Sequence, residues 1–329
     1  MADSSFNVLV VGGYHSASLA KLRTEIPATI KIANGKYPSE EELKDVSALL
    51  IRSQTEVDAQ LLSRAPNLQV IVTATSGFDH IDLASCQKRQ IKVMHTPDAN
   101  PPCAAEITLL LLLSMVHNMG SAQALIRSHS WKNDLERTYE LQGKNLGLIG
   151  LGRVGRRVAQ LARAFGMEVS AYDPYIEAKV FEEFQVERLG LTELFIKCPI
   201  ISLHVPLTNE TYRLINRATL ETMAPGASII NASRGGVIDE TELAEAIERG
   251  HVRAAALDVF ETEPLPQASR LRKLKTVFTT PHIGGFSKEA LKRGSDSAVS
   301  KLIQFYRSGE TSDLLPPTEE WYVSTNCPL

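Results

Sequence analysis

Cysteine is scarce in this chain and makes no pattern where it occurs. Cys86, Cys103, Cys198 and Cys327 lie far apart and form no Cys-x-x-Cys or Cys/His spacing, which leaves no metal site in the sequence and points to reduced, mostly structural thiols. An excess of one charge is lacking too. Lys plus Arg number 35 against 38 Asp plus Glu, a net charge of −3, so the electrostatic footprint of a nucleic-acid or anionic-membrane binder is missing. The longest apolar run, Ile107–Val116, is interrupted by Thr108 and Ser114. It is far shorter than the ~20 residues that cross a bilayer and reads as a buried helix. Met1–Phe6 carry no basic region leading into an apolar stretch and a small-residue cleavage site, so no secretory signal is expected and the cytoplasm is the default location.

What is present is a globular composition, with 43% hydrophobic and 22% charged residues in 329, a length that at ~150 residues per domain suggests about two domains. Short β-branched runs alternate with amphipathic stretches, the pattern of parallel sheets crossed over by helices, so the fold class is α/β. In the first hundred residues strands are expected at Asn7–Val11, Thr29–Ala33, Ala48–Ile51, Gln69–Ala74 and Ile91–Met94, enough for one small doubly wound domain. Ser39 and Glu42 have capping-box spacing. A boundary is expected at Thr96–Pro102, where three prolines in six residues suit neither a sheet nor a helix interior. A long apolar helix should start near Cys103. A second run of strands follows at Asn145–Ile149, Glu168–Tyr172, Ile200–His204, Ser228–Asn231, Ala254–Asp258 and Val277–Thr279. Asp239 with Glu242 suggests another capping box, and Gly250 a helix stop. The helix from Lys288 to about Arg307 lies beyond this unit and would return the chain to the first domain.

The strongest local signal is Lys144–Gly155, a strand running into Gly150-x-Gly152-x-x-Gly155 and then a helix. Gly150 would make the tight turn, Gly152 would let the backbone approach a pyrophosphate, and Gly155 would allow close helix packing, with the helix N-terminus holding the anion. The next strand ends at Tyr172-Asp173-Pro174, which places Asp173 at the ~20-residue distance of a ribose-binding carboxylate. Gly12-Gly13 also follows a strand but lacks the third glycine and the acidic residue, so it reads as a plain turn.

Three further segments follow strands of the same unit: Asn231-Ala232-Ser233-Arg234-Gly235-Gly236, Asp258-Val-Phe-Glu261-Thr-Glu263-Pro264, and Pro281-His282-Ile-Gly284-Gly285. Taken singly, each has an ordinary reading as a solvated arginine, an acidic surface loop or a structural histidine. Together they line one carboxyl edge of one sheet, where open α/β sheets bind ligands. His204 also follows a strand and competes with His282 on local grounds. The other histidines, His15, His80, His95, His117, His129 and His251, read as surface or packing residues.

Through these motifs, over roughly residues 45–310, the sequence resembles the D-isomer-specific 2-hydroxyacid dehydrogenases, near their 3-phosphoglycerate dehydrogenase and hydroxypyruvate or glyoxylate reductase members. The resemblance implies a Rossmann NAD-binding domain (99–290) inserted into a flavodoxin-like substrate domain (1–98 with 291–329), and a homodimer formed through the nucleotide-binding domains. It implies that Arg234 binds and polarises a 2-oxo acid, that His282 is the acid/base and that Glu263 holds it. NAD would contact Gly150, Gly152, Arg153, Val154, Gly155, Asp173, Pro174, His204, Val205, Pro206, Ala232, Ser233, Arg234, Asp258, His282 and Gly284. Thr75, Ser76 and Gly77, with Arg234 and His282, would bind the substrate.

The chain departs from the pattern at Thr73, where phosphoglycerate dehydrogenases usually carry an arginine two residues before the substrate loop. That argues against a phosphorylated substrate, although Arg52 keeps another basic position of that subgroup. The chain ends at Leu329 after a short polar tail, so an appended regulatory domain is not expected. The expected activity is hydride transfer between NAD(H) and C2 of a small D-2-hydroxy or 2-oxo acid. Corepressor-type members of the family make an NAD(H)-sensing binding protein the alternative. Formate oxidation is disfavoured, because that branch typically has Gln where this chain has Glu263.

Overall fold

In the computed structural model residues 6–135 and 137–323 are described. The chain divides into two compact units, residues 1–100 with 285–329, and residues 101–284; the boundaries drawn from the sequence lie at 98/99 and 290/291. The first unit opens with β1 (Asn7–Val10), α1 (Ser16–Glu25), β2 (Thr29–Ile32), α2 (Glu40–Leu43), β3 (Ala48–Ile51), α3 (Ala59–Arg64), β4 (Val70–Thr73), α4 (Leu83–Lys88) and β5 (Lys92–Met94). The second runs through α5 (Pro101–Val116), α6 (Met119–Arg127), β6 (Asn145–Ile149), α7 (Arg153–Ala164), β7 (Glu168–Tyr172), α8 (Ala178–Glu183) and β8 (Glu187–Arg188). It continues with α9 (Leu191–Lys197), β9 (Ile200–Leu203), α10 (Arg217–Thr222), β10 (Ala227–Asn231), α11 (Glu240–Glu248), β11 (Val252–Leu257) and β12 (Val277–Thr279). The chain then rejoins the first unit as α12 (Lys288–Ser308), β13 (Leu314–Leu315) and α13 (Glu320–Val323).

The first sheet has the order β13-β5-β4-β3-β1-β2, with β1 to β5 parallel and β13 antiparallel at the edge. Counted along the chain its parallel strands run 2-1-3-4-5, the flavodoxin order. Val8, Val10, Leu50 and Val72 face one core, where Leu22 of α1 and Val299 and Leu302 of α12 cover them. Leu9, Leu49, Ile51 and Ile71 face the other. Because both faces are covered, these strands are continuously apolar rather than alternating. The edge strand β13 was not anticipated; two residues carry no periodicity. Lys301, buried on α12, ties it down through an ion pair with Asp313 and a 2.9 Å bond to Ser312 Oγ.

The second sheet, β12-β11-β10-β9-β6-β7-β8, is parallel throughout. Its order is that of a dinucleotide-binding Rossmann sheet extended by β12, and the direction of winding reverses between β6 and β9. Ligands of such sheets bind outside the carboxyl ends of the strands at that reversal. The apolar helix α5 packs against α7 and the β10–β11 side of the sheet, its Leu109 and Leu112 sharing one core with Val158 and Ala256. Among the described residues no single helix is long and apolar enough to cross a membrane.

Two local expectations are corrected. Pro101 and Pro102 form the first turn of α5 rather than a linker; the first turn has no intrahelical partner for the N–H that proline lacks. The Asp239–Glu242 box is half made. The Asp239 carboxylate accepts the Thr241 and Glu242 N–H groups, but the Asp239 N–H goes to Ile215 O at 2.8 Å and Glu242 pairs with Arg217. Ser39 and Glu42 make both bonds of theirs.

Gly147 on β6 packs so closely that a methyl group would lie 2.9 Å from Cys198 Cβ and Ile201 Cδ1. Gly147→Ala therefore overpacks the core of the second unit, and denaturant titration should show a loss of about 1–3 kcal/mol. An unchanged midpoint would mean that β6 and α9 separate without cost.

Candidate active site

The glycine loop between β6 and α7 divides its tasks among three residues. Gly150 has φ +96°, and a Cβ there would lie 2.5 Å from the His204 carbonyl oxygen. A Cβ on Gly155 would lie 2.3 Å from the Gly150 oxygen, so only glycine lets α7 start this close to the loop. At Gly152, the residue preceding α7, a Cβ would meet nothing within 4 Å, and no side chain caps the helix. The open side of the loop and the uncapped N-terminus of a 12-residue helix suit a pyrophosphate. Asp173, at the end of β7, accepts the Leu151 N–H at 2.8 Å and the Tyr175 N–H at 3.0 Å. Its carboxylate braces the glycine loop from the second strand, which puts an acceptor beside the phosphate-binding turn. Ribose hydroxyls require such an acceptor, so the residues present fit a dinucleotide.

His204 is held by two contacts, its N–H donating to Ile149 O at 2.7 Å and its Nε2 lying 2.9 Å from Ser202 Oγ. Burial pushes its imidazole down to about 4, so it is neutral at pH 7 and a poor reservoir for a proton. Val205 packs against the core below it, and the Pro206 carbonyl accepts Thr211 Oγ1 at 2.6 Å.

Beyond β10, the buried Asn231 shapes the turn that carries Arg234. Its Oδ1 accepts the Ser233 N–H at 3.0 Å and Ser233 Oγ at 2.8 Å, and its Nδ2 donates to Arg234 O at 2.8 Å. Ala232 and Ser233 are thereby fixed, and Arg234 is extended at φ −141°. Beyond β11, Asp258 does the same for the histidine. It is 1% exposed, and its carboxylate accepts Thr280 Oγ1 at 2.6 Å, the Ile283 N–H at 2.8 Å and the Gly284 N–H at 2.7 Å. Its carbonyl accepts the His282 N–H at 2.8 Å. Asp258, expected from the sequence to contact the cofactor, is engaged at both carboxylate oxygens within the chain, as Asp173 is. His282 sits in the left-handed region at φ +52°.

His282 Nδ1 lies 2.6 Å from Glu263 Oε2, and the other Glu263 oxygen accepts the Phe260 N–H at 3.1 Å. The Glu263 hydrogen bond and charge raise His282 above its ordinary 6.5, against burial and Arg234, which pull it down. Burial opposes the charged form of Glu263, but the His282 hydrogen bond and charge, the Phe260 N–H and Arg234 outweigh it and hold the carboxyl below its ordinary value. Both shifts favour an imidazolium–carboxylate pair. With Nδ1 engaged, Nε2 is the ring atom that would exchange a proton.

In the first unit, Thr75–Gly77 follow β4. Thr75 Oγ1 donates to Gly77 O at 2.8 Å and lies 2.6 Å from Thr73 Oγ1, which in turn is 3.1 Å from His80 Nε2. Ser76 Oγ donates to Pro97 O at 3.1 Å, and His95 Nδ1 lies 2.8 Å from Ser76 O while Phe78 packs edge-on against the His95 ring. His80 and His95, read from sequence as surface or packing residues, are thus the scaffold of this loop; isolated histidines carry no periodic signal that would reveal it. Thr73 is buried within the same relay. Arg52, after β3, has a buried Nη1 without a hydrogen-bond partner among the described residues, and burial lowers its pKa. Cys86, Cys103 and Cys198 are buried free thiols, whereas Cys327 lies outside the described residues. Among the described residues no cluster of His, Cys, Asp and Glu could hold a metal.

Comparison with known proteins identifies the family. Residues 109–284 match the D-isomer specific 2-hydroxyacid dehydrogenase, NAD binding domain. The D-3-phosphoglycerate dehydrogenase of Mycobacterium bovis is 43% identical over 267 residues, 81% of this chain and 50% of that protein. The hydroxypyruvate reductase of Thermotoga maritima is 40% identical over 264 residues, 80% of this chain and 85% of that one. Among solved structures, D-lactate dehydrogenase from Aquifex aeolicus, complexed with NAD and lactic acid, superposes with a TM-score of 0.81 at 31% identity, covering 91% of this chain and 95% of that one. The chain belongs to the D-isomer-specific 2-hydroxyacid dehydrogenase family, and NAD is the cofactor of its second unit. It spans about half the length of the phosphoglycerate dehydrogenases it matches.

The His282–Glu263 pair yields a direct test. Glu263→Gln keeps the side-chain shape but deletes the charge, so the His282 imidazole, followed by NMR, should titrate at lower pH than in the wild type by roughly one unit or more. An unmoved titration would assign the pairing to Glu261 or to Asp258.

Proposed function

We propose that the chain is an NAD-dependent D-2-hydroxyacid dehydrogenase acting on a small unphosphorylated acid of the hydroxypyruvate or glyoxylate type. The observation that carries this reading is the 2.6 Å His282–Glu263 pair, set with Arg234 on the carboxyl edge of an NAD-binding sheet. NAD(H), when bound, supplies or accepts the hydride at C2. Arg234 would hold the substrate and stabilise negative charge as it builds on the carbonyl oxygen. Protonated His282 would deliver the proton in reduction, and neutral His282 would remove it in oxidation. The main chain of Thr75, Ser76 and Gly77 would hold the substrate carboxylate. Thr73, fully buried in a hydroxyl relay, offers no cation to a phosphate, which favours hydroxypyruvate or glyoxylate over 3-phosphoglycerate.

On the cofactor side, the α7 N-terminus with Gly152, Arg153 and Val154 would take the pyrophosphate, Asp173 and Pro174 the ribose, Val205 and Pro206 the adenine side, and Ala232 and Ser233 the nicotinamide end. A homodimer through this domain is part of the proposal. It is supported by α6, which buries none of its residues within the chain and leaves Met119 and Ile126 exposed, as Trp131 and Tyr139 also are. A cytoplasmic location completes it.

Steady NADH oxidation across a panel of glyoxylate, hydroxypyruvate, pyruvate and phosphohydroxypyruvate tests the reading. The first two should be turned over best, and Arg234→Ala should lower kcat/KM by about 2.7–4 kcal/mol in transition-state stabilisation while NADH affinity changes little. Tight NADH binding without turnover of any acid would replace the enzyme with a dinucleotide-sensing binder. Nucleotide choice follows from Asp173, which accepts hydroxyls but repels a 2′-phosphate. NADH should therefore exceed NADPH in kcat/KM by at least about 100-fold, and comparable efficiencies would displace Asp173 from the ribose.

A further inference from the structure

Arg213 lies in the loop between β9 and α10, outside every motif of the sequence, and holds three segments at once. Its backbone is left-handed, at φ +48°, and its N–H donates to Gly236 O at 2.8 Å. Its guanidinium reaches Asp239 Oδ2 at 3.1 Å and Glu261 Oε1 at 3.2 Å. Asp239 caps α11, and the next residue, Glu240, accepts the Glu261 N–H on Oε1 at 2.6 Å. On the far side of the same turn a Cβ on Gly235 would lie 1.9 Å from the Phe260 carbonyl carbon, so the Arg234 turn is pressed directly onto the loop leading to Glu263. Two residues after Glu261, the Glu263 carboxylate meets His282.

Resting on the dehydrogenase reading, we propose that Arg213 and Glu240 are positioning residues that lock the 258–264 loop to the Arg234 turn, and so set the distance from Glu263 to His282. Neither touches the reacting atoms. Each acts on the loop main chain or its Glu261 side chain, and the loop hands the constraint to Glu263 through the 3.1 Å bond between Phe260 N–H and Glu263 Oε1. Glu240 has Asp239, Glu261 and Glu263 as its acidic neighbours, and burial raises its pKa. The Glu261 N–H needs only an acceptor oxygen, which both protonation states of Glu240 offer, so the lock does not depend on the Glu240 charge.

The imidazole titration of His282, read by NMR on the full histidine-labelled chain without substrate, separates positioning from mere stability. Glu240→Ala removes the acceptor. Arg213→Asn removes the bridge while keeping a residue type that tolerates left-handed backbone. Both should lower the His282 pKa by at least about half a unit, a fraction of the one to three units a close carboxylate supplies, and Glu240→Gln should titrate like the wild type. In the active enzyme, kcat for reduction above the wild-type limb should fall about threefold, the same half unit expressed as protonated fraction, with NADH Kd unchanged. Folded Glu240→Ala and Arg213→Asn proteins that titrate as the wild type would overturn the proposal, as would a Glu240→Gln shift equal to that of Glu240→Ala. Should Glu240→Ala fail to fold, the surface variant Arg213→Asn decides alone. A wild type inactive on every acid would sink the dehydrogenase reading and leave the titration comparison intact.

Discussion

A carboxylate removed from water is stable only when hydrogen-bond donors replace its hydration, and the site's geometry rests on one such group. Asp258 is 1% exposed and receives Thr280 Oγ1 and the Ile283 and Gly284 N–H groups. Its own N–H donates to the Asn231 carbonyl. The ends of β10 and β11 are therefore one unit: Asn231 shapes the turn bearing Arg234, and Asp258 shapes the turn bearing His282. A residue at φ +52°, as His282 is, is held there by its surroundings rather than by its own preference. The buried aspartate supplies that constraint, and the imidazole inherits its direction from it.

Much of this was legible in the sequence. The parallel strands of both units follow from apolar runs bounded by turns, and β3, β6, β7 and β12 begin and end where the pattern places them. The glycine fingerprint is legible because each glycine answers a steric demand that the structure contains: Gly150 against His204, Gly155 against Gly150. Asp173 is legible because the length of one βα unit sets its distance from the loop. What stayed hidden depends on contacts far apart in sequence. Nothing near Thr73, His80 or His95 says that a strand end and two histidines build one loop, and Arg213 gains its meaning only when three loops converge on it. The two-residue strands β8 and β13 are invisible for a different reason: a period cannot be read from two positions.

The competing histidines illustrate how environment settles what residue type leaves open. His204 and His282 both follow strands of the same sheet. Burial alone acts on His204 and drives it toward the neutral form, while its serine partner offers no charge to oppose that. His282 is also partly buried, but a carboxylate at 2.6 Å reverses the outcome. The one is a neutral buried ring and the other is suited to holding a proton near neutral pH.

The same logic sorts the three acidic residues of the loop after β11, which the sequence alone makes equivalent. Asp258 is sealed from solvent and saturated with donors, so it is a fixed acceptor that shapes the backbone. Glu261 faces the Arg213 guanidinium on the surface, where an ion pair contributes little to stability but can fix the position of a loop. Glu263 stands between these extremes. With 36% of its side chain exposed, against 48% for His282, the pair is dry enough for the carboxylate to shift the imidazole and wet enough for the imidazole to change its charge. A more buried pair would be trapped in one protonation state by the cost of desolvating the other, and a fully exposed one would titrate as in water. A group that exchanges protons needs the middle ground, and the loop from Asp258 to Pro264 creates it for His282 by burying its first carboxylate and leaving its last half open.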